Sequence, residues 1–348
     1  MTSDTQGSVW SYSLELSRAL SGHGIRVSLS TFGHALSKEQ RRDAARVPRL
    51  ALFESELPMA EVTNAVTDFT KSHTFLTELE HKLKPDIIQL NEFNFGSLRF
   101  KAPVVIVAHS EGSPSTSASI WQMRRELTPI LQSADLVIFP TRAALEEAKL
   151  AYQLTTPCKV IPYFRRIADY RTASKQRYVF SAGDRNDAAA VMTAIEAAAG
   201  ELHWPVISMQ ERGITGGVPS RPGARPLSPR IADQLSKAAI YCQPAPDQRA
   251  DISVLEGALS RCALVIADVP GLRENWNNCA LFVPQNDTEI LKRNLQMLIA
   301  DDKLREEFAL RAFERAKEFS PDRCIDDYLD AYQSAWSYKF RPESTERR

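Results

Sequence analysis

The sequence contains no apolar run that approaches the roughly 20 residues needed to span a bilayer. It does not open with a basic stretch followed by an apolar one, which is the pattern of a secretory signal. Neither sign of charge is in excess, because Lys plus Arg and Asp plus Glu each number 43. No global field therefore favours nucleic acid or an anionic membrane, and binding to either needs a local patch. We expect a cytoplasmic protein with no nucleic-acid partner and no transmembrane segment, with peripheral association at the inner membrane face as the alternative.

Cysteine and histidine are scarce and scattered. No paired spacing of the zinc-binding kind links the five cysteines, which are Cys158, Cys242, Cys262, Cys279 and Cys324. An odd, dispersed set predicts reduced, mostly buried thiols and no disulfide framework. The six histidines form no ligand cluster either, so we predict no resident metal. No Gly-x-Gly-x-x-Gly follows a predicted strand, which argues against a dehydrogenase.

What the sequence does contain is a long alternation of short apolar runs and helical segments. With 348 residues, 43% of them hydrophobic, the chain is long enough for two domains. The predicted strands include Arg26–Thr31, Leu50–Phe53, Asp86–Leu90, Val104–Ala108, Ala134–Pro140, Tyr178–Ala182, Pro205–Met209, Ala239–Gln243 and Ala263–Ala267. The predicted helices include Val9–Leu20, Ser37–Arg46, Ile120–Gln132, Arg142–Tyr152, Asp187–Ala199, Ile231–Lys237 and one from Ser320 to about Tyr338. Apolar strands separated by helices predict parallel sheets that are covered on both faces.

The most informative stretch runs from Asp247 to Pro284. It combines a loop, a helix with Glu256 near its first turn, an apolar strand and a predicted turn at Pro270-Gly271. A carboxylate just inside such a helix accepts hydrogen bonds from a ribose or a sugar, while the loop amides and the helix dipole attract an anion. We therefore expect a ligand rich in hydroxyl groups here.

Several segments of the chain resemble the retaining glycosyltransferases of family 4. The segments that carry the resemblance are Ser253-Val254-Leu255-Glu256-Gly257-Ala258, Val269-Pro270-Gly271-Leu272-Arg273-Glu274, Ala134-Asp135-Leu136-Val137 and Ala239-Ile240-Tyr241. That family has the GT-B fold, so the resemblance implies an α/β protein with two Rossmann-like doubly wound domains facing across a cleft. The implied domains are an acceptor domain over 1–163 and a donor domain over 178–320, with a helix at 321–348 that packs back on the first domain. The first strand lies just before Gly7-Ser8, so either part of it is missing from the sequence or it is short.

The resemblance also implies an activity and roles for individual residues. It implies the transfer of a sugar from a nucleotide-sugar donor to an acceptor hydroxyl, with retention of configuration, in polysaccharide or glycoconjugate biosynthesis. Glu256 would hold the ribose, Gln248 the donor sugar, and His109 would line the reacting end of the cleft. A histidine that directly follows a strand is otherwise a hydrogen-bonded loop residue, and that reading stays open. The implied donor-binding residues are Gly7, Ser8, Gly183, Arg185, Arg249, Asp251, Ile252 and Ser253.

The positions expected to meet the diphosphate depart from the family pattern. Where the family has an Arg and a Lys, this sequence has Asp184 and Ala190, and Asp251 and Gln248 replace a Gly and a Glu. Because a leaving diphosphate needs positive charge, these changes predict weak donor binding unless Arg185 or Arg249 compensates. A second possibility is Mg²⁺ held by loop carboxylates, namely Asp184, Asp187, Asp247 and Asp251. The alternative function is a catalytically degenerate relative that acts as a binding or partner subunit.

Overall fold

The computed structural model describes residues 1–5, 8–57, 66–109, 117–170, 173–181, 195–196, 204–208, 229–244 and 250–340. These residues belong to two compact units. The first unit consists of Met1–Thr5, Leu16–Pro162 and the chain from Cys324 onward, and the second of Gln6–Glu15 and Tyr163–Arg323.

The first half of the chain alternates strands and helices. Its elements are β1 (Thr2–Asp4), α1 (Ser8–Gly22), β2 (Val27–Phe32), α2 (Lys38–Ala45), β3 (Leu50–Glu54), α3 (Val66–Leu83), β4 (Ile88–Leu90), β5 (Val104–Val107), α4 (Ser117–Ser133), β6 (Leu136–Phe139), α5 (Arg142–Tyr152) and β7 (Cys158–Val160). The strands form two parallel sheets, β1-β2-β3 and β4-β5-β6-β7. The side chain of Asn91, just after β4, donates to the carbonyl of Thr2 in β1 over 2.8 Å and so joins the two sheets.

The second half repeats the pattern. Its elements are β8 (Gln176–Ser181), β9 (Val206–Ser208), α6 (Pro229–Lys237), β10 (Ala238–Gln243), α7 (Ala250–Leu259), β11 (Ala263–Ala267), α8 (Pro270–Trp276), β12 (Ala280–Val283), α9 (Thr288–Ala300), α10 (Asp302–Ala316) and α11 (Pro321–Lys339). The sheet order is β12-β11-β10-β8-β9, and its recorded pairings are all parallel. Every residue of β10 and β11 is buried, as expected for central strands that helices cover on both faces.

Helix α7 packs closely against β10 because Gly257 has no side chain. A Cβ atom at Gly257 would lie 2.9 Å from Cγ of Tyr241 in β10, which is closer than ordinary van der Waals contact. The helix ends after Leu259, where Arg261 adopts a left-handed conformation with φ of 59° and the amide of Cys262 donates to the carbonyl of Gly257. This packing fixes the position of Glu256, which precedes Gly257.

The expected fold class is confirmed, since both units are α/β and their sheets are parallel. One local expectation is wrong: the turn at Pro270-Gly271 is the start of helix α8. Proline suits this first helical position because its missing N–H would have no partner within the helix. All five cysteines are free thiols, three of them buried and two half-buried, as expected.

Candidate functional site

Glu256 lies on α7 and is only 5% exposed. Its Oε1 atom accepts a hydrogen bond from Nε of Arg165 over 3.1 Å and another from the hydroxyl of Tyr170 over 3.2 Å. All three side chains belong to the second unit. The carboxylate singled out from the sequence is therefore held by two donors that follow β7 in the chain.

Arg165 is buried, whereas the side chain of the next residue, Arg166, is 42% exposed. The side chain of Arg165 is 5% exposed and forms an ion pair with Glu256. Its amide donates to the carbonyl of Phe319 over 3.1 Å, and its Nη1 atom donates to the carbonyl of Phe164 over 3.3 Å. Its Nη2 atom is buried and has no hydrogen-bond partner among the residues that the structure describes. A buried guanidinium is stable only beside a counter-charge, which the sequence pattern did not reveal.

Burial away from water shifts the pKa values of Glu256 and Tyr170. Burial raises the pKa of Glu256, and the neighbouring Arg165 partly offsets that shift. Burial also raises the pKa of Tyr170 well above its usual value, and the Glu256 carboxylate adds to the shift. Tyr170 is therefore a neutral hydroxyl donor at physiological pH. Glu15 contributes a further negative charge near the group and lies 3.7 Å from Nε of Arg166.

A second polar group lies at the carboxyl end of β10. The side-chain oxygen of Gln243 accepts from the hydroxyl of Tyr241 over 2.6 Å and from the hydroxyl of Ser253 over 2.8 Å. Gln243 is 5% exposed, so these bonds satisfy a buried amide oxygen. Ser253, predicted to bind the donor, therefore links the start of α7 to the end of β10.

His109 lies just beyond β5 in the first unit, at the carboxyl edge where parallel sheets bind ligands. Its Nε2 atom is 3.4 Å from Oδ1 of Asn91, and that oxygen also accepts from Nε2 of Gln89 over 2.8 Å. The hydroxyl of Tyr332 donates to the other end of the Gln89 amide over 2.5 Å. The side chains of Asn91 and Gln89 therefore orient the imidazole of His109.

Glu92 is a second buried carboxylate of the first unit. It accepts from the hydroxyl of Thr2 over 2.5 Å and from the amide of Asp4 over 3.0 Å. Burial raises the pKa of Glu92 to about 7, and the negative charge of Asp4 acts in the same direction. Glu92 therefore titrates close to physiological pH.

The other predicted site residues are placed only in part. Those that lie outside the described residues are Gly7, Gly183, Arg185, Gln248 and Arg249, together with Asp184, Asp187, Ala190 and Asp247. Ser8 and Asp251 belong by their backbones to the first turns of α1 and α7, and Ile252 is a core residue that is 2% exposed. Within the described ranges, no group of His, Cys, Asp and Glu side chains is arranged to hold a metal ion. No described helix is both long and apolar enough to cross a membrane.

Sequence reasoning missed Arg165, Tyr170 and Gln243. The local signal is the aromatic pair Tyr163-Phe164, which directly precedes Arg165. Both aromatic residues are buried, with Phe164 2% and Tyr163 7% exposed. An arginine that follows such a buried pair is a candidate for a buried ion pair.

The two α/β units with parallel sheets have the GT-B fold. Residues 9–164 match the family model described as Glycosyltransferase Family 4. No curated protein matches the chain in sequence.

Solved structures share this fold. A sucrose-phosphate synthase from Thermosynechococcus elongatus superimposes with a TM-score of 0.70 at 15% identity, over 94% of this chain and 93% of that one. A glycosyltransferase from Rickettsia africae ESF-5 superimposes with a TM-score of 0.65 at 11% sequence identity, over 96% of this chain and 97% of that one. A mutant TarM of S. aureus superimposes with a TM-score of 0.70 at 9% sequence identity, over 95% of this chain and 99% of that one. That structure is a complex with Fondaparinux, alpha-GlcNAc-glycerol and UDP. At these identities the likeness establishes the fold alone.

Proposed function

We propose that the protein transfers a sugar from a nucleotide-sugar donor to an acceptor hydroxyl with retention of configuration, in polysaccharide or glycoconjugate assembly. The observation that carries this proposal is the position of Glu256, a buried carboxylate held by Arg165 and Tyr170 on the helix that follows a central strand. Such a carboxylate suits the hydroxyl groups of a nucleoside. The TarM structure is a complex with UDP, which supports a nucleotide ligand for this fold.

The proposed roles follow from the charge that develops in the reaction. When the sugar leaves, negative charge grows on the diphosphate, and positive side chains or backbone amides must stabilise it. We assign that task to Arg185 or Arg249 together with the backbone at Gly7, Ser8 and Gly183. Gln248 would contact the donor sugar, and His109 would line its reacting end. Mg²⁺ at the loop carboxylates is a second way to supply the positive charge.

A specific observation also favours a second candidate function, that of a catalytically degenerate partner subunit. The carboxylate proposed to hold the ribose already has a buried counter-ion in Arg165. Asp184 and Ala190 stand where the pattern of the resembling family has an Arg and a Lys. A chain that had lost its donor would keep its fold and its core ion pair.

Calorimetric titration separates the two candidates. The full chain would be titrated with UDP, GDP and ADP and with sugars of each, with and without Mg²⁺. Micromolar binding of one nucleotide supports the transferase and identifies its base, and binding that requires Mg²⁺ identifies the metal as the diphosphate partner. A folded protein that binds none of them at millimolar concentration supports the degenerate subunit.

A further inference from the structure

A chain of three hydrogen bonds links the backbone of β1 to helix α11, and its direction is fixed at the β1 end. The carbonyl of Thr2 can only accept, so the atom of Asn91 that lies 2.8 Å from it is the amide nitrogen Nδ2. The oxygen Oδ1 of Asn91 then accepts from Nε2 of Gln89 over 2.8 Å. The oxygen of Gln89 accepts in turn from the hydroxyl of Tyr332 over 2.5 Å. One backbone carbonyl therefore sets donor and acceptor at both amide side chains.

Burial holds the two amides in this orientation. Gln89 is 3% exposed and Asn91 is 4% exposed, and turning either amide over would bring oxygen against oxygen or nitrogen against nitrogen. The backbone amide of Asn91 also donates to the hydroxyl of Thr2 over 3.1 Å, which ties the residue after β4 to β1. The position of Oδ1 of Asn91 is therefore fixed from two sides.

This orientation decides which nitrogen of His109 carries the proton. The Nε2 atom of His109 lies 3.4 Å from Oδ1 of Asn91, an oxygen that can only accept. A hydrogen bond between them requires the proton on Nε2. In a neutral imidazole one nitrogen donates and the other accepts, so Nδ1 is the acceptor of this ring.

We propose that Tyr332, Gln89 and Asn91 are positioning residues that keep the proton of His109 on Nε2, so that Nδ1 accepts a hydrogen bond from a hydroxyl group of the substrate. An imidazole held in this way selects a hydroxyl over a carboxylate at that point, because an ionised carboxylate has no hydrogen to donate. The identity of the substrate rests on the proposed function, whereas the position of the proton is a property of the protein by itself. Tyr332 acts from 243 positions away in the chain.

Nuclear magnetic resonance of the full chain, labelled with 15N in its histidine rings, measures where the proton lies. His109→Gln identifies the signals of His109, and His81 on α3 serves as an exposed reference ring in the same spectrum. At a pH where both rings are neutral, the ratio of the Nε2–H to the Nδ1–H form should be at least about 10-fold larger for His109 than for His81. That factor corresponds to one net hydrogen bond. Equal ratios, or a proton on Nδ1 of His109, would overturn the proposal.

Tyr332→Phe tests the far end of the chain of hydrogen bonds. It keeps the ring but removes the donor that holds the Gln89 amide, so the His109 ratio should fall by about 3-fold, a part of one net hydrogen bond. Tyr338→Phe is the matched control on the same helix, because Tyr338 is 48% exposed, and it should leave the ratio unchanged. An unchanged ratio in a folded Tyr332→Phe protein would remove Tyr332 from the proposal.

A transfer assay with the nucleotide-sugar found by calorimetry tests the role of the proton in the reaction. Tyr332→Phe should lower kcat by about the same 3-fold as the ratio and leave the KM of the donor nearly unchanged, while Tyr338→Phe should match the wild type. Unchanged kcat in a Tyr332→Phe protein with a lowered ratio would overturn the positioning role and leave the transferase intact. A protein that shows the large His109 ratio but transfers no sugar would overturn the transferase and, with it, the substrate hydroxyl at Nδ1.

Discussion

Glu256 and Arg165 stabilise the second unit only as a pair, because each is a charge removed from water. Breaking a buried ion pair from one side costs about 3–5 kcal/mol, whereas replacing both partners with apolar residues is often neutral. We expect Glu256→Gln and Arg165→Met each to lower the free energy of unfolding by about 3 kcal/mol. The double variant Arg165→Met with Glu256→Met should recover most of that loss, as measured by urea denaturation.

Arg166, next to Arg165, provides the control for this double-mutant cycle. Arg166 is 42% exposed and pairs with Asp169, so Arg166→Met should cost less than about 1 kcal/mol. If the losses in the two single variants simply add in the double variant, the two residues do not act as a unit and the buried pair is not the source of the cost.

Glu92 makes the stability of the first unit depend on pH. Its pKa is raised from 4.5 to about 7 because it is buried. The folded state therefore favours the protonated acid, and this contribution is fully present below pH 4.5 and is lost as pH rises through about 7. We expect wild-type stability to fall over this range relative to Glu92→Gln, by an amount on the order of 3 kcal/mol.

Urea denaturation at pH 4.5, 6 and 8 measures this difference. Glu39→Gln, on the exposed side of α2, is the control and should follow the wild-type curve. A Glu92→Gln protein whose stability changes with pH in parallel with the wild type would show that Glu92 titrates at its ordinary value.

At the scale of elements, Lys175 holds the ends of two helices. Its Nζ atom donates to the carbonyl of Ser236 over 3.1 Å and to the carbonyl of Ser260 over 2.5 Å. These carbonyls lie at the C-terminal ends of α6 and α7, where the helix dipoles favour a positive charge. Burial lowers the pKa of Lys175.

Lys175→Met should therefore destabilise the second unit by about 2 kcal/mol, because two carbonyls lose a charged donor. Lys237→Met removes an exposed ion pair with Asp233 on α6 and should cost less than about 1 kcal/mol. Thermal unfolding of both variants measures the contrast. Equal losses would mean that Lys175 contributes no more than a surface ion pair.

The close contact between α7 and β10 leads to a second prediction about helix packing. Gly257→Ala would place a methyl group 2.9 Å from the ring of Tyr241, and overpacking of this kind costs about 1–3 kcal/mol. Because Glu256 precedes Gly257, the displaced helix should also weaken nucleotide binding. Gly22→Ala, at the end of α1, meets no atom within 4 Å and should leave the affinity unchanged. Unchanged nucleotide affinity in Gly257→Ala would mean that the helix position does not control Glu256.

The sequence predicts features that depend on neighbouring residues and misses those that depend on distant ones. Strands β10 and β11 are continuous apolar runs, so their burial follows from the local sequence. Glu256 was found because it lies in a recognisable helix. Arg165 was missed because its burial depends on a carboxylate 91 positions away. Within a basic run, nothing local distinguishes an arginine that meets such a partner from its exposed neighbour Arg166.

For the whole molecule, the equal numbers of acidic and basic residues mean that long-range charge does not attract a nucleotide. Specific contacts must then supply the affinity, and any ligand that binds only the folded state raises its stability by mass action. A nucleotide at about 100 times its dissociation constant should add about 2.7 kcal/mol to the free energy of unfolding. The second unit should then melt about 5–10 °C higher.

Thermal unfolding of the full chain with and without the nucleotide therefore tests the site and the function together. The wild-type melting temperature should rise with nucleotide concentration, and the rise should be smaller with the 2′-deoxy or the 3′-deoxy analogue. Glu256→Gln should lose the shift even when it is folded, because its side chain no longer offers two carboxylate oxygens to the ribose hydroxyl groups. The same rise in Glu256→Gln would place the nucleotide elsewhere in the molecule. The absence of any rise in the wild type would instead favour the partner subunit, since the buried pair would then serve only the stability of the core.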